Sequence, residues 1–263
     1  REQGADLIIA VDPDADRCAL AVPDPASETG WSPLSGDQIG SLLGEFLAER
    51  GMTGSLANSI VSSRLLSRIA RTHGLEHHTT LTGFKWIARA PGLGFGYEEA
   101  IGFCPDPAHV RDKDGIATSV VAASLVAALK AQGRSVWDEL ERLARLHGLH
   151  VSSPLTFRVE EIDQIASGMA RLRAQPPSVL AGSPVVEVSD LSQGYRGLPP
   201  TDGVLVLTEA GDRVIARPSG TEPKLKCYLE VILPVAEGEP LPWEQARERL
   251  DAIKGAFAEI IGL

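Results

Sequence analysis

Along the first half of this chain, segments with the apolar pattern of a strand alternate with segments whose apolar residues recur at helical spacing. Short apolar runs at residues 7–11 and 17–22 predict strands, and the first run is typical of a buried strand. Ser35 and Gln38 form a capping box, which predicts the start of a helix with apolar residues at helical spacing. Further strands are predicted at 59–62, 77–81 and 94–103, and further helices at 64–73, from 82, at 114–131 and at 136–147. This alternation predicts a three-layer α/β domain at residues 31–149.

The pattern changes after residue 150, where strands dominate. Residues 160–173 and 242–261 have helical periodicity, and the second range places Ala246, Leu250 and Phe257 on one apolar stripe. Strands are predicted at 154–159, 185–188, 203–208, 213–216 and 224–233. This order of elements predicts a C-terminal α+β domain at residues 150–263.

Residues 1–30 hold two of the predicted strands but too little chain for a domain of their own. The chain opens on Arg1 rather than on methionine, and a loop rich in Pro, Ser and Gly follows at 23–33. We interpret the chain as a fragment; the family resemblance of the motifs given below implies that residues 1–30 are the remnant of a preceding α/β domain. Because strands that have lost their sheet expose unpaired edges, we expect residues 7–22 to be displaced, disordered or paired across a non-native interface.

Composition narrows the class of protein. The 263 residues carry a net charge of −10, which argues against a nucleic-acid partner, since non-specific binding to phosphate backbones needs basic surfaces. No apolar run approaches the length of a membrane span, so no membrane partner is expected. Cys18, Cys104 and Cys227 are far apart and odd in number, which predicts buried or free thiols in a reducing, cytoplasmic environment.

Three aspartates follow the first predicted strand. Asp12, Asp14 and Asp16 alternate with Pro13 and Ala15, and proline ends strand pairing because it has no N–H to donate. Carboxylates held this close repel one another, so the folded chain needs a cation there. Carboxylate oxygens suit a hard divalent ion, and we predict Mg²⁺. Arg17 adds a positive charge beside them, shaped for a phosphate or a carboxylate.

Other interpretations of this aspartate loop were weighed. It could be a solvated acidic turn, because Asp and Pro are ordinary turn residues. A calcium-binding EF-hand loop is excluded, since Arg17 and Pro23 stand where that loop needs glycine and glutamate. A phosphatase that uses Asp12 as its nucleophile stays open from these residues alone.

A second motif lies between two strands of the C-terminal domain, at residues 217–224. Arg217, Ser219, Gly220 and Thr221 can direct a guanidinium, hydroxyls and backbone N–H groups toward one point, which predicts a phosphate-binding nest. An ordinary turn built from Ser, Gly and Pro is the alternative.

Two further motifs fall in the α/β domain. Glu98 and Glu99 stand in an otherwise apolar, glycine-bounded segment, where carboxylates could accept hydrogen bonds from sugar hydroxyls; one solvated and one ion-paired glutamate is the alternative. Asp114 can cap the following helix, which leaves the neighbouring Lys113 unexplained. His109 lies between these motifs and is a candidate substrate contact, whereas His77 and His78 are expected to be an exposed pair.

Five motifs in this order resemble the α-D-phosphohexomutases, the phosphoglucomutase/phosphomannomutase family. They are Asp12-Pro13-Asp14-Ala15-Asp16-Arg17, Gly83-Phe84-Lys85-Trp86, Tyr97-Glu98-Glu99-Ala100-Ile101-Gly102, Asp112-Lys113-Asp114-Gly115 and Arg217-Pro218-Ser219-Gly220-Thr221-Glu222-Pro223-Lys224. The resemblance implies a four-domain enzyme. Residues 1–30 would then end domain two, 31–149 would be domain three, and 150–263 would be domain four, with a TATA-box-binding-protein-like fold.

The resemblance also implies roles for individual residues. Asp12, Asp14 and Asp16 would bind Mg²⁺, and Glu98 would read the sugar hydroxyls. Arg17 and Lys85 would act at the reacting phosphoryl group. The remaining substrate contacts would be Lys113, His109, Arg217, Ser219, Gly220 and Thr221.

The implied activity is a phosphosugar mutase. Such an enzyme would interconvert hexose 1-phosphate and hexose 6-phosphate through a phosphoserine and a bisphosphate intermediate. The loop that carries this serine belongs to the N-terminal domains and is absent here, so we expect the 263 residues alone to be inactive, at most a sugar-phosphate-binding module. Ala100 replaces a serine found in many members, which leaves the sugar open between hexose and pentose phosphates.

Overall fold

The computed structural model describes residues 4–219 and 222–262. The chain folds as two compact units, Arg1–His147 and Gly148–Leu263. Each is an assembly of sheets and helices, as the pattern of the sequence predicts.

The first unit begins with a small antiparallel sheet. Its strands are β1 (Ile8–Val11), β2 (Cys18–Pro23) and β3 (Trp31–Pro33), in the order β1-β2-β3. The expectation that residues 7–22 would be displaced or disordered is wrong, because β1 pairs with β2 from Ile8↔Ala21 to Val11↔Cys18. The loop predicted at 23–33 also ends in a strand.

Strand β1 is present where it was predicted, but it is not buried. Ile8, Ile9 and Val11 are 44%, 38% and 46% exposed, because β1 is the outer strand of its sheet and has a neighbour on one edge only. The apolar run therefore predicted the position of this strand correctly, and the prediction that the strand is buried is wrong.

The rest of the first unit is a sheet between helices. Strands β4 (Ser55–Ser59), β5 (His77–Thr80), β6 (Leu93–Glu98) and β7 (Gly102–Cys104) have the order β5-β4-β6-β7, and only β7 is antiparallel. The helices are α1 (Gly36–Glu49), α2 (Leu65–Thr72), α3 (Phe84–Ile87), α4 (Gly115–Ala131) and α5 (Val136–His147). The strand predicted at 59–62 is wrong, because β4 ends at Ser59 and a turn follows it.

Helix α1 is the centre of the larger core. The predicted capping box is confirmed, since Ser35 accepts from the Gln38 N–H and Gln38 accepts from the Ser35 N–H. Its buried face packs with Phe95 and Tyr97 of β6 and Phe103 of β7. The ring centroid of Tyr97 lies 6.4 Å from that of Phe95 and 6.2 Å from that of Phe103. A smaller core that contains Phe84 and Ile87 of α3 forms a second apolar cluster.

An ion-pair network joins α1 and α5. Arg142 lies 2.5 Å from Glu45 and 2.6 Å from Glu139, two carboxylates that are almost fully buried. Arg134 makes a further ion pair with Glu139, and His73 contacts Glu45 at 3.0 Å. The guanidinium of Arg142 is thus the group that both buried carboxylates share.

The described residues of the second unit form a six-stranded antiparallel sheet, two α-helices and a short 3-10 helix at Leu191–Gln193. The strands are β8 (Leu149–Arg158), β9 (Val179–Leu180), β10 (Ser183–Asp190), β11 (Val204–Thr208), β12 (Arg213–Pro218) and β13 (Lys224–Leu233). The order is β8-β13-β12-β11-β10-β9, and the helices are α6 (Ile162–Ala174) and α7 (Trp243–Ile261). The predicted stripe of α7 is buried at Ala246, Leu250 and Phe257, and the α+β class is confirmed.

All three cysteines are buried and free, as predicted. Within residues 4–219 and 222–262, no single helix is long and apolar enough to cross a membrane; α4 and α5 together reach that length and composition, with an 89° bend between them.

The prediction that His77 and His78 form an exposed pair is wrong. Both side chains are half-buried at strand β5, and Nε2 of His77 lies 3.0 Å from Oδ1 of Asn58. Burial, with a smaller contribution from the neighbouring His78, lowers the pKa of His77 from 6.5 to about 4.

This shift predicts a pH-dependent stability. The unfolded chain takes up a proton near the ordinary pKa while the folded chain resists it, so stability is complete above that pKa and declines as the pH falls toward the folded value. Between about pH 7.5 and about pH 5, urea unfolding should report a loss of about 2 kcal/mol that is absent in His77→Gln. His109→Gln, at an exposed histidine, is the control and should behave as wild type. An equal decline in both variants would show that His77 is not its source.

Candidate active site

The aspartate loop joins β1 to β2. The N–H of Ala15 donates to the carbonyl oxygen of Asp12 (2.9 Å), and Ala15 has φ +58°, so the loop folds back on itself. The N–H of Arg17 donates to Oδ1 of Asp12 (3.0 Å), a hydrogen bond that lowers the pKa of this carboxyl. The loop therefore presents an ionised carboxylate at its start.

The three carboxylates of this loop converge. Asp12, Asp14 and Asp16 each offer an oxygen, and these atoms lie within 4.8 Å of one another. All the donors are hard carboxylate oxygens, which is the ligand set that Mg²⁺ or Ca²⁺ prefers. The residues present fit a divalent cation.

Two cations flank the aspartate loop. Nε of Arg17 lies 3.9 Å from a carboxylate oxygen of both Asp12 and Asp16, and Nζ of Lys113 lies 2.9 Å from Oδ2 of Asp16. Burial alone would depress the pKa of Lys113, but its hydrogen bonds to Asp16 and Asp112 outweigh burial and raise it. Both side chains are therefore fixed positive charges at the loop.

The two-glutamate motif forms the tight turn between β6 and β7. Glu98 pairs with Gly102 across the hairpin, and Oε1 of Glu98 lies 4.0 Å from Nη2 of Arg17. Burial, and then the charge of Glu99, raise the pKa of Glu98. A half-buried carboxyl beside a guanidinium can accept hydrogen bonds from substrate hydroxyls.

Backbone hydrogen bonds join this turn to the aspartate loop. Arg17 donates through Nη1 to the carbonyl of Ala100 (3.0 Å), and the N–H of Cys18 donates to the carbonyl of Ile101 (3.0 Å). Arg17 and Gly102 also form an antiparallel bridge. The candidate metal ligands of the aspartate loop and Glu98, the candidate for binding sugar hydroxyls, thus lie on two loops joined by hydrogen bonds.

The first residue of helix α4 packs against the backbone of the aspartate loop. As predicted, the side chain of Asp114 caps α4 by accepting from the N–H of Ala117 (2.8 Å). The N–H of Gly115 donates to the carbonyl of Ala15 (3.0 Å), and a Cβ at Gly115 would lie 2.6 Å from the carbonyl oxygen of Arg17. Only glycine allows this close approach.

Two candidates lie apart from this group. His109 is 82% exposed, with Nδ1 2.7 Å from Oδ2 of Asp106, which explains it as a surface pair. Lys85 is exposed on α3, where its ammonium lies 5.9 Å from the ring of Trp86. Neither contact tests whether these residues reach a substrate.

The phosphate-loop candidates lie at one end of the second unit's sheet. Arg217 on β12 stands opposite Lys226 on β13, and the N–H of Ser219 donates to the carbonyl of Lys224 (2.8 Å). Lys224 lies 2.6 Å from Glu222. Like charges on neighbouring strands repel, so this end of the sheet favours an anion. Gly220 and Thr221 lie outside the described residues.

Sequence reasoning missed the residues that support the two-glutamate turn. Ser59 and Ser62 donate to Oε2 of Glu99 at 3.0 and 2.9 Å, and both serines are buried. Their only signal in the sequence is a polar stretch at the carboxyl end of β4, the edge where α/β sheets often bind ligands.

Comparison with known proteins places these features in a family. Residues 35–146 match the phosphoglucomutase/phosphomannomutase alpha/beta/alpha domain III, and residues 157–239 match the C-terminal domain of the same family.

Individual relatives agree. A probable phosphomannomutase of Haemophilus influenzae is 43% identical over 88% of this chain and 47% of its own length, and a mouse phosphopentomutase is 31% identical over 97% of this chain and 46% of its own. The crystal structure of pp63/parafusin, a Paramecium phosphoglucomutase, has the same fold, with a TM-score of 0.70 at 19% identity over 98% of this chain and 46% of that one. The chain spans about half the length of these proteins, and it belongs to the phosphoglucomutase/phosphomannomutase family, of which it contains domain III and the C-terminal domain.

Proposed function

We propose that this chain supplies the metal, sugar and distal phosphate sites of a phosphosugar mutase, an intramolecular phosphotransferase. The observation that carries the proposal is the convergence of three aspartates with Arg17, Glu98 and Lys113 at connected loops. In the proposed reaction, a phosphoserine outside these 263 residues gives its phosphoryl group to the sugar phosphate. A bisphosphate forms, reorients and returns the other phosphoryl group to the serine.

Each side chain has a part in this proposal. Asp12, Asp14 and Asp16 would hold Mg²⁺, which when bound neutralises charge on a transferring phosphoryl group. Arg17 would place a second positive charge beside that group, 3.9 Å from two of the ligands. Lys113 would keep Asp16 oriented through its 2.9 Å contact.

The remaining candidates would hold the parts of the substrate that do not react. Glu98 would accept hydrogen bonds from the sugar hydroxyls, and Arg217 and Ser219, with Gly220 and Thr221, would grip the other phosphate. Lys85 and His109 stay proposed substrate contacts, and both are exposed and can reorient toward a ligand.

The preferred sugar class is a hexose phosphate, with a pentose phosphate as the second candidate. The hexose proposal follows the phosphomannomutase relative, and the pentose proposal follows the phosphopentomutase relative, which matches more of this chain. Ala100 is exposed at the tip of the two-glutamate turn and offers no side-chain hydrogen bond. A substrate with fewer hydroxyl groups would lose less at such a position.

The test is an assay of this chain joined to the preceding domains of its family, with glucose, mannose and ribose 1-phosphates in parallel. We expect Mg²⁺-dependent conversion of at least one hexose phosphate. The 263 residues alone should bind phosphosugar without turnover. If none of the three sugar phosphates is converted, the proposal is contradicted. An acyl-phosphate trapped on Asp12 would favour a phosphatase instead.

A metal titration tests the aspartate loop in the chain itself. Asp14→Asn should weaken Mn²⁺ binding, followed by electron paramagnetic resonance, by about tenfold or more, because affinity for hard cations follows the number of charged ligands. Asp14 is exposed, so the variant should fold as wild type. Glu28→Gln, at an exposed carboxylate elsewhere in the first unit, is the matched control. Equal affinities of Asp14→Asn and wild type would remove Asp14 from the site.

A further inference from the structure

The two glutamates of the β6–β7 turn make different contacts. Glu98 lies beside Arg17, whereas Oε2 of Glu99 accepts hydrogen bonds from Ser59 (3.0 Å) and Ser62 (2.9 Å). The N–H of Glu99 also donates to Oγ of Ser62 (3.2 Å). The two serine hydroxyls also lie 2.8 Å from each other, so the two hydroxyls and the carboxylate oxygen form one hydrogen-bonded cluster. One carboxylate oxygen of Glu99 is thus bound by two buried serines of the protein.

These serines are a rigid anchor. Ser59 is the last residue of β4, which lies between β5 and β6, and Ser62 follows in a buried turn. On the far side of the same turn, Oδ1 of Asp37 accepts from the N–H of Ser63 (2.7 Å) and from the hydroxyl of Tyr97 (3.0 Å). The segment that holds Glu99 is therefore itself held by α1 and β6.

The turn that contains Glu99 is strained. Between Glu98 and Gly102 the loop has three residues, and the last of them, Ile101, has φ +57°. Three-residue hairpin loops place a residue in the left-handed region there, usually glycine, and a β-branched side chain is disfavoured in it. Such a conformation persists only where surrounding contacts determine it.

Each residue of the strained turn has such a contact. Glu99 binds Ser59 and Ser62, the carbonyl of Ala100 accepts from Arg17, and the carbonyl of Ile101 accepts from the N–H of Cys18. Glu99 makes the one polar side-chain contact of the turn, while the side chain of Ile101 packs against the apolar core. Removing the carboxylate would leave three backbone hydrogen bonds, those of the Glu99 N–H and of the Ala100 and Ile101 carbonyls, to hold a disfavoured conformation.

We propose that Glu99 is a positioning residue of the sugar site: by binding Ser59 and Ser62 it holds the 99–101 turn, and so fixes where Glu98 meets the substrate hydroxyls. This role rests on the proposed function. Glu98 ends β6 and Glu99 begins the turn, so a fixed Glu99 holds the backbone from which the side chain of Glu98 extends toward Arg17.

Amide hydrogen exchange tests the proposal without any ligand. The N–H of Cys18 reports the turn, because it donates to Ile101. Glu99→Ala removes hydrogen bonds to a charged group, so exchange at Cys18 should accelerate by about tenfold or more. Glu99→Gln keeps an acceptor oxygen and should restore most of the protection, while Glu98→Ala should leave exchange unchanged. Wild-type exchange in Glu99→Ala would overturn the proposal.

A binding measurement on the same variants tests the consequence for substrate. Titration of wild-type chain with glucose 1-phosphate should give saturable binding, weakened about tenfold in both Glu98→Ala and Glu99→Ala and recovered in Glu99→Gln. Accelerated exchange in Glu99→Ala with wild-type affinity would also overturn the role. If wild type binds none of glucose, mannose and ribose 1-phosphates, the proposed function fails, while the exchange data still decide whether Glu99 holds the turn.

Discussion

Replacing Arg142 with alanine is expected to lower the free energy of unfolding of the first unit by about 3–5 kcal/mol. The side chains of Glu45 and Glu139 are 4% and 5% exposed, and Arg142 contacts both. Without the guanidinium, two buried carboxylates would keep their desolvation cost and lose a shared partner. His73 and Arg134 would compensate in part, because each still contacts one of the two. Urea unfolding of the chain near neutral pH measures the loss.

Arg145 provides the control on the same helix. Arg145 forms an ion pair with Glu141, four residues earlier on α5, and both side chains are exposed. Exposed pairs of this kind contribute about 0.3–0.5 kcal/mol, so Arg145→Ala should be nearly neutral. Equal destabilisation by the two substitutions would show that burial of the carboxylates is not the source of the effect.

The second large effect is expected from Gly36→Ala. A Cβ at Gly36 would lie 2.1 Å from the carbonyl oxygen of Glu99, and that oxygen belongs to the backbone of the held turn. A clash with backbone cannot be relieved by a side-chain rotation, so α1 and the turn must separate. We expect a loss of about 3 kcal/mol in unfolding free energy, at the upper end of overpacking costs.

The position of Gly255 offers a matched substitution. It lies within α7, and a Cβ there meets no atom within 4 Å. Gly255→Ala should stabilise the second unit by about 0.5–1 kcal/mol, because alanine favours the helix. In Gly36→Ala, exchange at the N–H of Cys18 should rise along with the loss of stability. Unchanged exchange there would show that the turn had not moved.

Local patterns were sufficient to predict much of this fold. The capping box at Ser35 and the stripe on α7 depend on contacts within a few residues, which the sequence displays directly. The short strand β3 escaped prediction because three residues that include Pro33 have no periodicity to detect. The exposure of β1 escaped it because an apolar run reveals preference for burial, not what packs against it.

In the candidate site, too, contacts within one loop were predictable and contacts between distant segments were not. Asp12, Asp14 and Asp16 were predictable as a group because their convergence results from spacing within one loop. The partnership of Glu99 with Ser59 and Ser62 was not, since it joins residues about 40 positions apart through the pairing of β4 with β6. The burial of His77 depends in the same way on a neighbouring strand.

The bridge between Arg17 and Gly102 has a consequence for recombination within the family. The contacts that join the aspartate loop to its neighbours include backbone groups of Ala15, Cys18 and Ile101, which substitutions that keep the positive φ of Ala15 and Ile101 and the N–H of Cys18 would preserve. A chimaera that exchanges residues 35–146 for those of a relative, the range matched as domain III, would therefore keep the backbone contacts of the aspartate loop. The exchange requires glycine at positions 36 and 115, where a Cβ would meet the backbone of Glu99 and of Arg17.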